Sequence, residues 1–356
     1  MLQRLLSHDL PRSRWLAALL VIVVVGLALA PFLFPGAKAL GVASKMLVFI
    51  LLVASFDILL GYTGIVSFAH TMFFGIGAYG VAIASTRLGE GWAAVGLGTL
   101  AALALSFVLA LLIGLFSLRV KAIFFAMITL AFATAFQTLV SQLSEFTGGE
   151  DGISFRNPDW LQPAFEPFEN EIFGVLIDGR LITYWLLFAA VFVLFLLLLR
   201  IVNSPFGRVL LAIRENDFRA EAIGYRTVVY RTVASVLAAL FATLAGVLLA
   251  LSLRYVGPDT ALSFEIMLDI LLIVVIGGMG SLYGAIVGAV LFVLAQNYLQ
   301  DLLAVGATAV QGVPLLQDLV APGRWLLWLG VLFVLSVYHF PTGVVGRLRA
   351  RAYRAK

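Results

Sequence analysis

The chain has 356 residues, of which 62% are hydrophobic and only 12% are charged, and its formal net charge is +4. Its mean hydropathy of +1.08 excludes a soluble globular protein and indicates a polytopic membrane protein. The absence of cysteine excludes disulfides and thiolate metal sites. The basic residues cluster in short segments between apolar stretches, as the positive-inside rule requires, so we assign them no nucleic-acid role.

Apolar segments of about 20 residues, the length that crosses a bilayer as a helix, recur along the whole chain. They lie at approximately 15–35, 41–60, 64–86, 92–117, 122–143, 182–201, 230–253, 263–277, 280–299 and 325–341. We expect an all-α fold of about ten transmembrane or half-membrane helices in a single membrane domain covering residues 1–356. The pattern leaves open whether 263–299 forms full spans or half helices.

Basic and acidic residues predict which side of the membrane each connection occupies. Arginines before the first span and in the basic tail at 342–356 place both termini in the cytoplasm, and Arg119 and Lys121 fall on the same side. The acidic loop at 145–180, which contains several prolines and glycines, then lies outside the cytoplasm. Two lysines near the start of the second span oppose this arrangement.

Residues 203–228 form an island of charge in an apolar sequence. Ser204 and Pro205 suit an N-cap and a first helical position. Apolar residues at i, i+3, i+4 and i+7 follow on one helix face, namely Phe206, Val209, Leu210 and Ile213. Glu215-Asn216-Asp217 can break this helix, and Gly224 can end a second one. A plain basic loop accounts for the charge equally well, but the amphipathic spacing favours a helical hairpin shaped to dock on another protein.

Two glycine-rich elements interrupt the apolar pattern. The first includes Gly61, Tyr62, Gly64, Ser67, His70, Gly75 and Gly77, and the second includes Gly277, Gly278 and Gly280, followed at four-residue spacing by Gly284 and Gly288. Unwound backbone inside a membrane is tolerated only where protein or a water-filled cavity satisfies its polar groups, and in transporters it often marks the substrate site. For the first element we favour a substrate pathway over close helix packing. For the second, packing is the stronger interpretation of the spacing of Gly280, Gly284 and Gly288, and Gly277 and Gly278 more readily break the chain. Its role could be substrate pathway, subunit contact or both, and we include Gly277, Gly278 and Gly280 in the hypothetical substrate pathway.

Ionisable residues within apolar spans are functional candidates, because burying them in a membrane is unfavourable. Asp57 lies near the end of the second span, and Asp269 lies in the eighth with Glu265. Interfacial placement or pairing with a basic residue explains them equally well. We hypothesise that Asp57 or Asp269 faces the transport cavity.

Several enzyme classes lack support in this sequence. It contains no phosphate-binding Gly-x-x-x-x-Gly-Lys-Ser/Thr motif and no Gly-x-Ser-x-Gly element. Its three histidines, His8, His70 and His339, are too far apart to form a local metal motif. We therefore expect no cofactor and no catalytic site, and any energy for transport must come from a partner or an ion gradient.

Residues 204–224 resemble the coupling loop of bacterial ABC import permeases, in particular the M-type subunit of the branched-chain amino acid permease family. The shared pattern is approximately S-x-F-G-R-A-L-x-A-I-R-E-N-E-x-A-A-E-A-L-G. The two glycine-rich elements and Thr147-Gly148-Gly149-Glu150-Asp151-Gly152 also resemble family motifs. Ile65 and Ala69 depart from the family's usual Gln and Gly, so the resemblance does not define the substrate.

The resemblance implies that this hairpin fits a groove of a cytoplasmic ATPase and carries the motion of ATP binding and hydrolysis into the membrane. The implied coupling residues are Phe206, Gly207, Arg208, Ala212, Arg214, Glu215, Asn216, Glu221 and Gly224. The implied partners are a second homologous permease, cytoplasmic ABC ATPases, an extracytoplasmic substrate-binding protein and membrane lipid. The implied location is the bacterial inner membrane.

Branched-chain amino acids are the usual substrates of the family, and urea or short amides are an alternative. A transporter of another class, driven by an ion gradient, is the second hypothesis. Such a carrier needs no ATPase-docking helix and would depend on carboxylates such as Asp57 and Asp269.

Overall fold

The computed structural model describes residues 13–34, 36–117, 122–167, 175–309 and 321–354. The helices in chain order are α1 (Arg14–Ala28), α2 (Ala30–Leu33), α3 (Ala37–Asp57), α4 (His70–Leu88), α5 (Trp92–Ser117), α6 (Ala122–Gln142), α7 (Ser144–Thr147), α8 (Gly179–Val202), α9 (Pro205–Glu215), α10 (Asp217–Ala222), α11 (Thr227–Leu253), α12 (Pro258–Ala261), α13 (Phe264–Gly277), α14 (Leu282–Ala309), α15 (Trp325–His339) and α16 (Gly343–Arg354). A π-helical segment, Ile58–Thr63, continues α3, and 3-10 turns occupy Asp159–Leu161 and Pro322–Arg324.

The predicted all-α membrane architecture is confirmed. Among the described residues, eight helical segments are long and apolar enough to cross a membrane. Each of the ten predicted apolar segments corresponds to a helix, but two are not among the eight, because α1 has only 15 residues and α4 is too polar. Of the two segments left open, α14 has 28 residues and is long enough to span. The other, α13, has 14 residues and is about 21 Å long, which is shorter than the hydrocarbon core, so it is counted among the eight only together with α12, as Pro258–Gly277.

Helices α3, α4 and α11 form the centre of the bundle. The spans Ala37–Thr63 and Thr227–Leu253 are 78% and 72% buried, whereas the spans in α5 and α6 are only 28% and 22% buried. Glycine permits the closest contacts, since a Cβ on Gly77 would lie 2.8 Å from the Thr243 carbonyl carbon. The periphery of the bundle therefore offers large apolar faces to lipid or to a partner.

The two ends of the bundle differ in structure. At one end, strands β1 (Ile153–Ser154) and β2 (Tyr255–Val256) pair antiparallel, and the Asn157 side chain donates to the Leu251 carbonyl at 2.8 Å. We call this the loop end. At the opposite end lie α9, α10 and the glycine break between α13 and α14, and we call it the hairpin end. Arg119 and Lys121, which entered the orientation argument, and His8 lie outside the described residues.

Two details of the expected pattern are wrong. The third apolar segment begins as a helix at His70 and not at residue 64, because Gly64 adopts a left-handed conformation with φ +72°. Gly280 does not share a helix face with Gly284, since it lies before α14 in a turn with φ +78°.

Candidate functional site

The segment 203–228 is the predicted helical hairpin. Asn216 separates α9 from α10, and its Oδ1 accepts a hydrogen bond from the Arg219 amide at 2.9 Å, which caps the second helix. Gly224 follows the end of α10 with φ +98°, a conformation that glycine adopts without strain.

The apolar face of α9 packs on the chain itself. Leu210 and Ile213 are buried, and the Phe206 ring stacks on Tyr230 of α11 with centroids 5.9 Å apart. The face that the spacing predicted to dock on another protein is therefore already covered, because the membrane bundle supplies the apolar surface that an amphipathic helix requires.

A different surface of the hairpin faces outward. Phe218 is 82% exposed, Ile223 is 69% exposed and Leu211 is partly exposed, while Arg208 and Glu215 are exposed beside them. Large apolar side chains exposed together with charges are typical of protein-binding surfaces. We call these five residues the outer face of the hairpin.

Other predicted coupling residues maintain the hairpin itself. Gly207 allows a tight turn after α8, since a Cβ there would lie 2.7 Å from the Val202 Cα. Glu221 accepts a hydrogen bond from the Thr227 hydroxyl at 2.6 Å. Ala212 is half-buried.

The two glycine breaks meet at the hairpin end. The Gly280 amide donates to Asp57 Oδ1 at 2.9 Å, although the two residues are 223 positions apart in sequence. A Cβ on Gly61 would lie 2.6 Å from Asp57 Cγ, so only glycine permits this approach. The Arg214 guanidinium of α9 donates to the Gly61 carbonyl. We call Asp57, Gly61, Gly280 and Arg214 the hairpin-end cluster.

The second glycine break also receives the C-terminal helix. Gly278 has φ +111°, and a Cβ there would lie 2.8 Å from the Thr342 carbonyl oxygen and 3.6 Å from the Gly343 Cα. Gly277 and Gly284 are likewise in direct backbone contact. The predicted basic tail therefore begins as helix α16, packed on the break.

Residues 38–336 match the family described as "Branched-chain amino acid transport system / permease component". The chain belongs to this permease family. The high-affinity branched-chain amino acid transport system permease protein LivM of Salmonella typhimurium is 30% identical over 301 residues, which cover 81% of this chain and 68% of that protein. LivM of Escherichia coli is 29% identical over 301 residues, which again cover 81% of this chain and 68% of that protein. The probable LivM of Methanocaldococcus jannaschii is 26% identical over 68% of this chain and 65% of that protein. No solved structure shows a significant match.

In this permease the first glycine-rich element divides into two parts. Gly61, Tyr62 and Gly64 lie at the hairpin end, where the Arg214 Cγ is 3.3 Å from the position of a Cβ on Gly64. Ser67 is buried in the non-helical segment 64–69.

The remaining residues of that element pack between helices. His70 is buried, with Nε2 2.8 Å from Ser55 Oγ and its ring edge-on to Phe56. Gly75 lies against Leu262, and Gly77 lies against the backbone of α11. Gly75 and Gly77 thus have packing contacts with neighbouring segments, whereas His70 has both a polar partner and a ring contact on α3.

Asp269 lies apart from Asp57 and has polar partners. Gln296 donates to Asp269 Oδ2 at 3.2 Å and accepts from Lys45 Nζ at 2.8 Å. This chain of polar groups joins α3, α13 and α14 within the bundle. Sequence reasoning missed it because the three residues are far apart in sequence. It also missed the hydrogen bond from Arg214 to the Gly61 carbonyl, although Arg214 follows the buried Leu210 by four positions and so shares its side of the helix.

An apolar groove of about 780 Å³ opens between α4, α5 and α6 near the loop end. Tyr79, Arg87 and Phe146 are among its lining residues, and neither Asp57 nor Asp269 is. Within the described ranges, no three His, Asp or Glu side chains come together to hold a metal ion.

Proposed function

We propose that this chain is the membrane permease subunit of an ABC importer that carries branched-chain amino acids into the cell by alternating access. The observation that carries the proposal is the hairpin, because it combines an exposed apolar outer face with a direct contact to the glycine breaks. An ATPase that moved the outer face would act on those breaks through α9. The chain itself then needs no catalytic site.

The partners follow from this role. Cytoplasmic ABC ATPases occupy the outer face of the hairpin, a second homologous permease covers part of the exposed apolar bundle surface, and an extracytoplasmic binding protein delivers substrate at the loop end. The hairpin end then faces the cytoplasm of a bacterial inner membrane, with both termini on that side. The named functions of the LivM relatives support the amino-acid substrate.

Affinity purification of the tagged chain in mild detergent tests the ATPase contact. Replacing Phe218 and Ile223 together by serine removes the exposed apolar groups without touching the buried face of α9. Recovery of an ABC-type ATPase should fall about tenfold or more, as expected when central interface side chains are truncated. The control is Trp160→Ser, which removes a ring that is 66% exposed at the loop end and should leave recovery unchanged. Equal recovery from both variants would contradict the proposed docking surface.

Competition for uptake distinguishes the substrates. In proteoliposomes containing the full complex, excess unlabelled leucine, isoleucine or valine should abolish uptake of labelled leucine. Excess urea or acetamide should not. Competition by urea with no effect of valine would favour the amide alternative.

A further inference from the structure

The hairpin-end cluster joins three segments that are distant in sequence. The Gly61 carbonyl lies in the last turn before the first break, and the Gly280 amide lies in the second break. The end of a helix leaves carbonyl groups without partners in the helix, and an interrupted helix in a membrane must satisfy such groups from elsewhere. Here Arg214 supplies the donor for Gly61, and Asp57 supplies the acceptor for Gly280.

Arg214 is exposed at the surface of the hairpin, yet its guanidinium contacts the glycine breaks. Its Nη1 is 2.9 Å from the position of a Cβ on Gly280, and its Cγ is 3.3 Å from that of a Cβ on Gly64. The guanidinium thus touches both glycine breaks. Arg208, six residues earlier on the same helix, is exposed like Arg214, but among the described residues only Arg214 contacts the glycine breaks. The two arginines therefore face different partners.

The cluster is incompletely hydrogen-bonded. Asp57 is only 2% exposed, and its Oδ2 has no hydrogen-bond partner among the described residues. The hydroxyl of Ser281, next to Gly280, is also buried and has no hydrogen-bond partner among the described residues. Buried polar atoms normally have partners, so an orphaned pair calls for an explanation. Asp57 Oδ2 offers the guanidinium a second acceptor if α9 shifts and the contact with Gly61 is lost.

We propose that Arg214 is a positioning residue that transmits hairpin movement to the glycine breaks, and that the cluster closes the hairpin end of the substrate pathway. This inference rests on the proposed function. When α9 moves, Arg214 leaves the Gly61 carbonyl, the two breaks separate and water reaches the freed backbone groups. Arg214 therefore acts within the permease, whereas the family resemblance placed it among the residues of a hairpin that fits a groove of the ATPase.

Transport and ATP hydrolysis measured on one preparation test the transmission. In the reconstituted complex, Arg214→Gln should retain ATPase recovery within about twofold, as for a substitution outside the docking contact. Leucine imported per ATP hydrolysed should fall about tenfold, the effect of losing one hydrogen bond to a charged group. Arg214→Lys should recover part of the loss, because it keeps one charged donor. The matched control, Arg208→Gln, should lower ATPase recovery and leave import per ATP in the recovered complexes unchanged. Loss of ATPase from Arg214→Gln to the same extent as from Arg208→Gln would overturn the assignment.

A second measurement needs no ATPase. The chain contains no cysteine, so Ser281→Cys introduces a single thiol beside Gly280. A hydrophilic maleimide should label this thiol about tenfold faster when Arg214 is also replaced by Gln, since opening of the cluster exposes it. Labelling should not change with Arg208→Gln. An unchanged labelling rate in the Arg214→Gln background would refute closure of the pathway by the cluster, even if the chain is an ABC permease. Faster labelling in a chain that recruits no ATPase would support closure by the cluster but refute the proposed ATPase partner.

Discussion

Contact between α4 and α11 depends on glycine at two reciprocal positions. A Cβ on Gly77 would lie 2.8 Å from the Thr243 carbonyl carbon, and one on Gly246 would lie 2.9 Å from the Phe74 carbonyl carbon. In both cases the obstacle is backbone, which cannot rotate aside. Overpacking of this kind destabilises by about 1–3 kcal/mol, here at the upper end, while the gain in helix propensity from Gly to Ala offsets about 1 kcal/mol. We expect Gly77→Ala and Gly246→Ala each to lower the free energy of unfolding by about 2 kcal/mol.

Thermal unfolding of the purified chain in detergent measures this effect. For a chain of 356 residues, about 2 kcal/mol corresponds to a fall in Tm of about 3 °C. The matched control is Gly96→Ala in α5, because no atom lies within 4 Å of the position of its Cβ. This variant should unfold at the same temperature as the unchanged protein or slightly higher.

The result also separates packing from a pathway role for Gly77. If Gly77→Ala unfolds at the same temperature as the unchanged protein and Gly96→Ala, α4 and α11 are not in the close contact described. If it is less stable but imports leucine normally per folded molecule, Gly77 acts through packing alone.

Three further predictions concern individual contacts. Tyr184→Phe removes the hydroxyl that donates to the Leu27 carbonyl, so the free energy of unfolding should fall by about 1 kcal/mol. An unchanged Tm would show that this hydrogen bond does not stabilise the protein. Asp269→Asn retains an oxygen that accepts a hydrogen bond from Gln296, so ATP-driven leucine uptake should stay within about twofold of that of the unchanged protein. An ion-coupled carrier that depends on this carboxylate would lose transport. Gly278→Ala places a Cβ on a residue with φ +111° and only 2.8 Å from the Thr342 carbonyl oxygen, so the yield of folded protein should fall strongly. The control is Gly323→Ala, because a Cβ there meets no atom within 4 Å. Equal yields of the two variants would contradict the tight contact with α16.

Local patterns in the sequence predicted the elements of this fold well. Hydropathy placed every span, and the run Glu215-Asn216-Asp217 placed the break in the hairpin, because both depend on the composition of short segments. The glycine density around Gly64 and Gly278 correctly indicated interrupted backbone, since both have a positive φ that other residues adopt only with strain.

Contacts between distant segments could not be predicted in the same way. Helical spacing showed that α9 has an apolar face but not which surface covers it, and the bundle itself proved to be that surface. The bonds from Gly280 to Asp57 and from Arg214 to Gly61 depend on how α3, α9 and α14 pack together. The partnership of Asp269 with Gln296 and Lys45 likewise arises only in the folded bundle.

ATP-dependent uptake by the reconstituted complex tests the central proposal most directly. Proteoliposomes would contain this chain with the second permease, the ATPases and the binding protein, or this chain alone. We predict leucine accumulation only in the full complex with Mg-ATP on the hairpin side, and its loss in the variant with Phe218 and Ile223 replaced by serine. Leucine accumulation by the chain alone, driven by an ion gradient without ATP, would contradict the account and establish a secondary transporter.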